Sequence, residues 1–119
     1  FTFSQFAWCD VGADTQKPDW SAFSKNLVRA MKTPCEGLQL SAMQQIITYA
    51  DNLHTDSAVF EVMRFYRNHQ DDRVRVLALN TLHRMKNKWA MGFLRVLVED
   101  EKSEVVKRHI YFILADCER

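Results

Sequence analysis

Apolar residues recur through most of this chain at spacings of three and four, separated by short polar breaks, which predicts helices rather than strands. Residues 1–18 are the exception: Phe3, Phe6 and Trp8 alternate with Gly12 and Pro18 in no sustained period, so an irregular or partly helical leader is expected, its aromatics covering apolar surface. Asp19 then offers an N-cap to a first helix striped by Phe23, Leu27, Ala30 and Met31, which Pro34 ends. A second helix starts near Glu36, carries Leu38, Ala42, Ile46 and Tyr49 on one face and stops at Asp51 and Asn52. Asp56 is expected to cap a third, bearing Val59, Val62, Met63 and Tyr66. After a turn over 68–72, a fourth over 73–85 turns Val74, Leu77, Ala78, Leu82 and Met85 inward. A fifth spans 89–98, and beyond the acidic turn 99–101 a Ser103 cap opens a sixth over 104–117.

These six segments repeat as pairs. Leu38, Gln39, Ala42 and Ile46 match Val74, Arg75, Ala78 and Leu82 at a shift of 36 (74 − 38), and these match Val106, Lys107, Ile110 and Leu114 at a shift of 32 (106 − 74). The shift of 32 also brings Val59, Val62, Phe65 and Tyr66 onto Met91, Leu94, Leu97 and Val98. The run Asp71-Asp72-Arg73-Val74-Arg75-Val76-Leu77-Ala78-Leu79-Asn80-Thr81-Leu82 resembles the D-x-x-V-R-x-x-A-x-x-x-L core of HEAT repeats, and 103–114 is a looser copy. In the first pair Gln39 stands where that pattern has Arg, and the units are shorter than the ~40–47 residues of ordinary HEAT repeats, nearer the short HEAT-like repeats of bacteria. The resemblance covers about residues 20–117 and implies an all-α fold: an α-solenoid of three HEAT-like helix pairs over 19–119, curving as a right-handed arc, preceded by the 1–18 leader.

Composition narrows the function more by exclusion. The 119 residues are 47% hydrophobic and 26% charged, the profile of an ordinary soluble domain able to bury a core without disulfide or metal. Sixteen basic and fifteen acidic side chains leave a formal charge of +1, so no global field drives the chain onto nucleic acid or an anionic membrane. Three glycines and two prolines are too few for a turn-rich β fold. Cys9, Cys35 and Cys117 form no C-x-x-C pair and are expected to be buried or incidental thiols. No apolar run approaches the ~18 residues of a membrane span. A first residue Phe1 instead of Met suggests a processed or trimmed product, with a cytoplasmic location or export after signal removal both open.

No phosphate loop, nucleophile elbow, dinucleotide fingerprint or zinc-protease motif occurs, and a catalytic role, a cofactor and a metal are not expected. His54, His69, His83 and His109 fall on different elements; His69 beside Asp71 and Asp72 reads as a solvated turn, and so does Glu99-Asp100-Glu101. The segment 64–95 holds eight basic residues (Arg64, Arg67, Arg73, Arg75, Arg84, Lys86, Lys88 and Arg95) against two acidic ones, Asp71 and Asp72. That surface supports an alternative, a nucleic-acid-binding domain.

The arc of the second helices opposite the core is more informative. Advancing about 100° per residue places Arg75, Leu79, His83, Val76 and Asn80 there, with Met43 and Ile47 equivalent in the first pair and Lys107, Tyr111 and Phe112 in the third. An apolar and aromatic strip rimmed by Gln, Arg and Lys suits a protein or peptide groove, unless neighbouring helices bury it. The expected function is therefore a scaffold that binds a protein or peptide through Arg75, Leu79, His83, Lys107, Tyr111 and Phe112. A homodimer through the sixth helix is a further expectation, because Ile110 to Leu114 form one apolar run that no later unit covers. On this reading Ala78→Leu damages the core, whereas Leu79→Ser leaves the fold nearly intact.

Overall fold

The computed structural model describes residues 17–118, and the predicted leader, with Cys9, lies almost wholly outside them. Six α-helices carry the fold, α1 (Trp20–Met31), α2 (Glu36–Tyr49), α3 (Val59–Asn68), α4 (Asp72–Met85), α5 (Lys88–Leu97) and α6 (Glu104–Cys117). Single 3₁₀ turns follow α2 at Ala50–Asn52, precede α3 at Asp56–Ala58 and follow α5 at Val98–Asp100. No strand occurs among the described residues.

The helix starts follow from their caps. Asp19 Oδ1 accepts from the Ala22 N–H at 3.0 Å, Asp71 Oδ1 from Arg73 at 2.9 Å, Asn87 Oδ1 from Ala90 at 2.9 Å and Ser103 Oγ from Val106 at 3.3 Å. Each satisfies a backbone donor that the first helical turn would otherwise leave open. Asp56 does not cap α3 as expected. It opens the 3₁₀ turn before that helix, and its Oδ1 instead accepts from Asn87 Nδ2 at 3.3 Å, across to the next pair.

Consecutive helices pack as pairs, α1 with α2, α3 with α4 and α5 with α6. The second members also pack in sequence, α2 on α4 and α4 on α6, which together with α3 and α5 puts α4 against four helices. The molecule measures 52 × 30 × 21 Å, the shortest dimension being that of two helix layers. Its core runs along the whole length, from Leu27 and Met31 through Met43, Ile46, Val62, Leu79 and Leu82 to Leu94, Ile110 and Ile113.

Side-chain facing departs from the expectation in two ways. Leu38 and Tyr49, assigned to the inner face of α2, are exposed, and Tyr49 instead joins Trp20 and Phe23 in an aromatic trio with centroids 5.7 and 5.8 Å from its ring. Leu79 and Met43, assigned to an outward strip, are fully buried. The physical reason is the packing of α4: Leu79 shares an arc with Asp72, Arg75 and His83, whose partners Ser103, Glu101 and Asp116 all belong to the third pair. That arc faces a neighbouring helix, not solvent, so Leu79→Ser places a hydroxyl in the core and, contrary to expectation, is not tolerated.

Candidate functional site

Arg75 is the best-connected of the residues expected to hold a partner, and its contacts are all internal. Its Nε donates to the Tyr66 carbonyl at 2.8 Å, Nη1 reaches Asp72 Oδ1 at 3.4 Å and Glu101 Oε2 at 3.1 Å, and Nη2 binds Glu101 Oε1. The guanidinium also lies 5.0 Å from the centre of the Tyr66 ring, and the Tyr66 hydroxyl donates to Glu101 Oε1 at 2.8 Å. Glu101 accepts a further bond from the Ser103 N–H at 3.0 Å. Burial pushes the Glu101 carboxyl upward, but the donors Arg75, Ser103 and Tyr66 outweigh it and hold the group below its ordinary range. Burial and then the bond to Glu101 push the Tyr66 hydroxyl far above its ordinary value. Glu101 is thus a buried joint between the second and third pairs, where the acidic run 99–101 suggested a solvated turn.

The part of this arrangement that lies within one pair has a counterpart in the first pair. Gln39, at the position equivalent to Arg75, donates its Nε2 to the Met31 carbonyl at 2.9 Å, just as Arg75 reaches back to Tyr66. Both side chains thus reach back to a carbonyl near the end of the preceding helix.

His83 lies 2.7 Å from Asp116 Oδ2 on α6 and Leu79 is buried. Of the six expected binding residues, Lys107, Tyr111 and Phe112 remain on an accessible arc, all on α6. Phe112 is 64% exposed and Tyr111 47%, and Val105, which hydropathy spacing did not single out, joins them at 57%. Arg108 is exposed on the same side.

The basic segment 64–95 is broken up by folding. Arg73 pairs with Asp71 at 2.9 Å, Arg75 with Glu101, and Arg95 with Glu118 at 3.4 Å, while Arg84 Nε donates to the Ile47 carbonyl at 3.1 Å. Lys86, Lys88 and Arg95 line a cleft of about 530 Å³ together with His83, Met91, Asp116 and Cys117. Arg64 and Arg67 stay exposed on α3, Arg64 lining a shallow pocket with Gln39 and His69 and Arg67 beside an aromatic cluster that sequence reasoning missed. Phe60 meets Trp89 edge-on at 4.8 Å, Trp89 lies 5.4 Å from Phe93, and Arg67 sits 5.6 Å from the Phe93 ring. Phe60 and Trp89 fall off the apolar stripes of their own helices; only the pairing of α3 with α5 brings them together.

Of the thiols expected to be buried or incidental, Cys35 and Cys117 are exposed, and partial burial together with the neighbouring Asp116 pushes the Cys117 thiol up. Among the described residues no group of three or more His, Cys, Asp and Glu is placed to hold a metal ion, and no helix is long and apolar enough to cross a membrane. No family model matches the chain, and comparison with curated proteins and with solved structures likewise gives no match.

Proposed function

We propose that this protein is a non-catalytic interaction module, a short HEAT-like solenoid whose partner is a protein or peptide held on α6. The observation that carries this reading is the exposed apolar arc of Val105, Tyr111 and Phe112 beside Lys107 and Arg108. Large apolar side chains clustered on one helix, rimmed by cations, are typical of a surface that is covered in an assembly. The solenoid part of the proposal draws support from the consecutive packing of α2, α4 and α6, from the two-layer thickness and from the matched bonds of Gln39 and Arg75.

The test is retention of protein from a native extract on the immobilised chain. Wild type is expected to hold a partner through a high-salt wash, because apolar contacts are nearly indifferent to screening, and Tyr111→Ser/Phe112→Ser to lose it. Equal retention by the double variant sinks the proposal.

A second reading, nucleic-acid binding, rests on Arg67 beside Phe60, Trp89 and Phe93, with Arg64 exposed on the same helix, a combination suited to phosphate contact and base stacking. On that reading a single-stranded oligonucleotide binds with steep salt dependence and is released by Phe60→Ser/Trp89→Ser.

A further inference from the structure

We propose that the α6 end of the molecule is a stacking face for one further helix pair built like this chain's own, received in the register in which α6 stacks on α4; as a function, this rests on the interaction-module reading above. The second helices of the three pairs carry equivalent positions. Glu36, Gln39, Met43 and Ile47 on α2 correspond to Asp72, Arg75, Leu79 and His83 on α4, and to Glu104, Lys107, Tyr111 and Ala115 on α6.

In the first two sets the following pair meets almost every position. Glu36 lies 3.3 Å from His69, and Asp72 accepts from Ser103 Oγ at 2.7 Å. Arg75 binds Glu101, and Met43 and Leu79 are wholly buried. The Ile47 carbonyl takes Arg84 at 3.1 Å, and His83 lies 2.7 Å from Asp116. In the third set Glu104, Tyr111 and Ala115 are exposed, and among the described residues neither Glu104 nor Lys107 makes an ion pair. The α6 end thus repeats the pattern of an occupied internal joint.

The opposite end does not. Where α4 has Leu77 and Thr81, and α6 has His109 and Ile113, α2 carries Ser41 and Gln45, both exposed. That arc of α2 is mixed, since Leu38 and Tyr49 are exposed beside Ser41 and Gln45, but it lacks the charged half of the joint: Thr33 stands before α2 where Glu101 stands before α6, so a second copy docking head-to-tail in this register brings no carboxylate to Lys107. The internal joints specify the occupant's chemistry: a carboxylate toward Lys107 as Glu101 serves Arg75, a hydroxyl or imidazole toward Glu104 as Ser103 and His69 serve Asp72 and Glu36, and an apolar second helix over Tyr111 and Ala115.

The experiment extends the full chain. Residues 87–118 repeated directly after Glu118 preserve the shift of 32, and the added unit carries Ser at its own copy of the Tyr111 position. With 3-fluorotyrosine incorporated, the Tyr111 resonance, assigned through Tyr111→Phe, is expected to be open to a soluble paramagnetic probe in the original chain and shielded in the extended one. Tyr111→Asp is expected to lower the melting temperature of the extended chain by ~5 °C and leave that of the original chain unchanged. Equal effects of Tyr111→Asp in both chains, or a Tyr111 signal equally open in both, would overturn the proposal. So would a Tyr111 already shielded in the original chain, with sedimentation showing a dimer, because the face then belongs to a second copy. None of these readouts needs an external partner, so loss of the interaction-module reading leaves a different signature.

Discussion

Leu79 and Phe112 were both assigned by the apolar pattern to the outside of the second helices, and their surroundings are opposite. Leu79 is sealed between α4 and α6, so Leu79→Ala removes buried volume that the surrounding helices cannot refill and is expected to cost about 3 kcal/mol. Phe112 projects into solvent, and Phe112→Ser should change stability by no more than about 0.5 kcal/mol. Thermal or urea melts of the two variants decide this directly, and similar losses would place Phe112 in a covered face. Ala78→Leu, one residue before Leu79, keeps its expected penalty of about 1–3 kcal/mol, because Ala78 is wholly buried and a larger side chain there overpacks the core. A pH effect belongs to His109, whose Nε2–H donates to Asn80 Oδ1 across 2.6 Å. Burial first, and the nearby His83 second, hold its pKa below the ordinary 6.5. The unfolded chain therefore takes up this proton before the folded one does, and stability falls as the pH drops from about 6.5 toward the depressed native value. Melting temperatures between about pH 7 and 5 should fall more steeply for wild type than for His109→Gln. Parallel curves would remove His109 as the cause.

At the level of elements, the sequence revealed the helices and much of their inner faces, because a 3.6-residue period and caps such as Asp19 and Ser103 are local signals. Joints between pairs are not local. Glu101 looks like either of its acidic neighbours Glu99 and Asp100, and nothing nearby says that it alone is drawn in to Arg75 and Tyr66. Asp56 looks like a cap, yet its carboxylate crosses to Asn87. The candidate surface was half legible for the same reason: one arc of a helix can be named from the period, but whether a neighbour covers it depends on the stacking of α2, α4 and α6. The end of α4 shows how a local strain follows from such an arrangement. Lys86 closes the helix at φ 55°, a left-handed conformation in which a side chain is disfavoured, so the tight turn into α5 is made at some cost. Lys86→Gly is expected to raise stability by about 0.5–1 kcal/mol, the relief exceeding the added freedom of the unfolded chain. A lowered denaturation midpoint would show that the Lys86 side chain contributes more than its backbone strain costs.

For the whole molecule, the proposed solenoid has contacts running between neighbours along the 52 Å axis instead of converging on one centre. When stability is a sum of unit and interface contributions, end units open without the middle, while the middle opens only with the loss of both interfaces. α4 packs against α2, α3, α5 and α6, whereas α1 rests on α2 and the 3₁₀ turn before α3. Native-state hydrogen exchange should accordingly find the slowest amides in α4, around residues 78–82, with α1 and the last turn of α6 exchanging earlier. The variants sharpen the expectation. Leu27→Ala, in α1, should speed exchange in α1 and spare α4 and α6, because only the first interface is weakened. Leu82→Ala, in the fully buried middle, should speed exchange everywhere by a similar factor, since it lowers the free energy of the opening that all units share. Equal acceleration of all helices by Leu27→Ala would mean one cooperative unit, and the neighbour-by-neighbour stacking on which the further helix pair depends would lose its energetic basis.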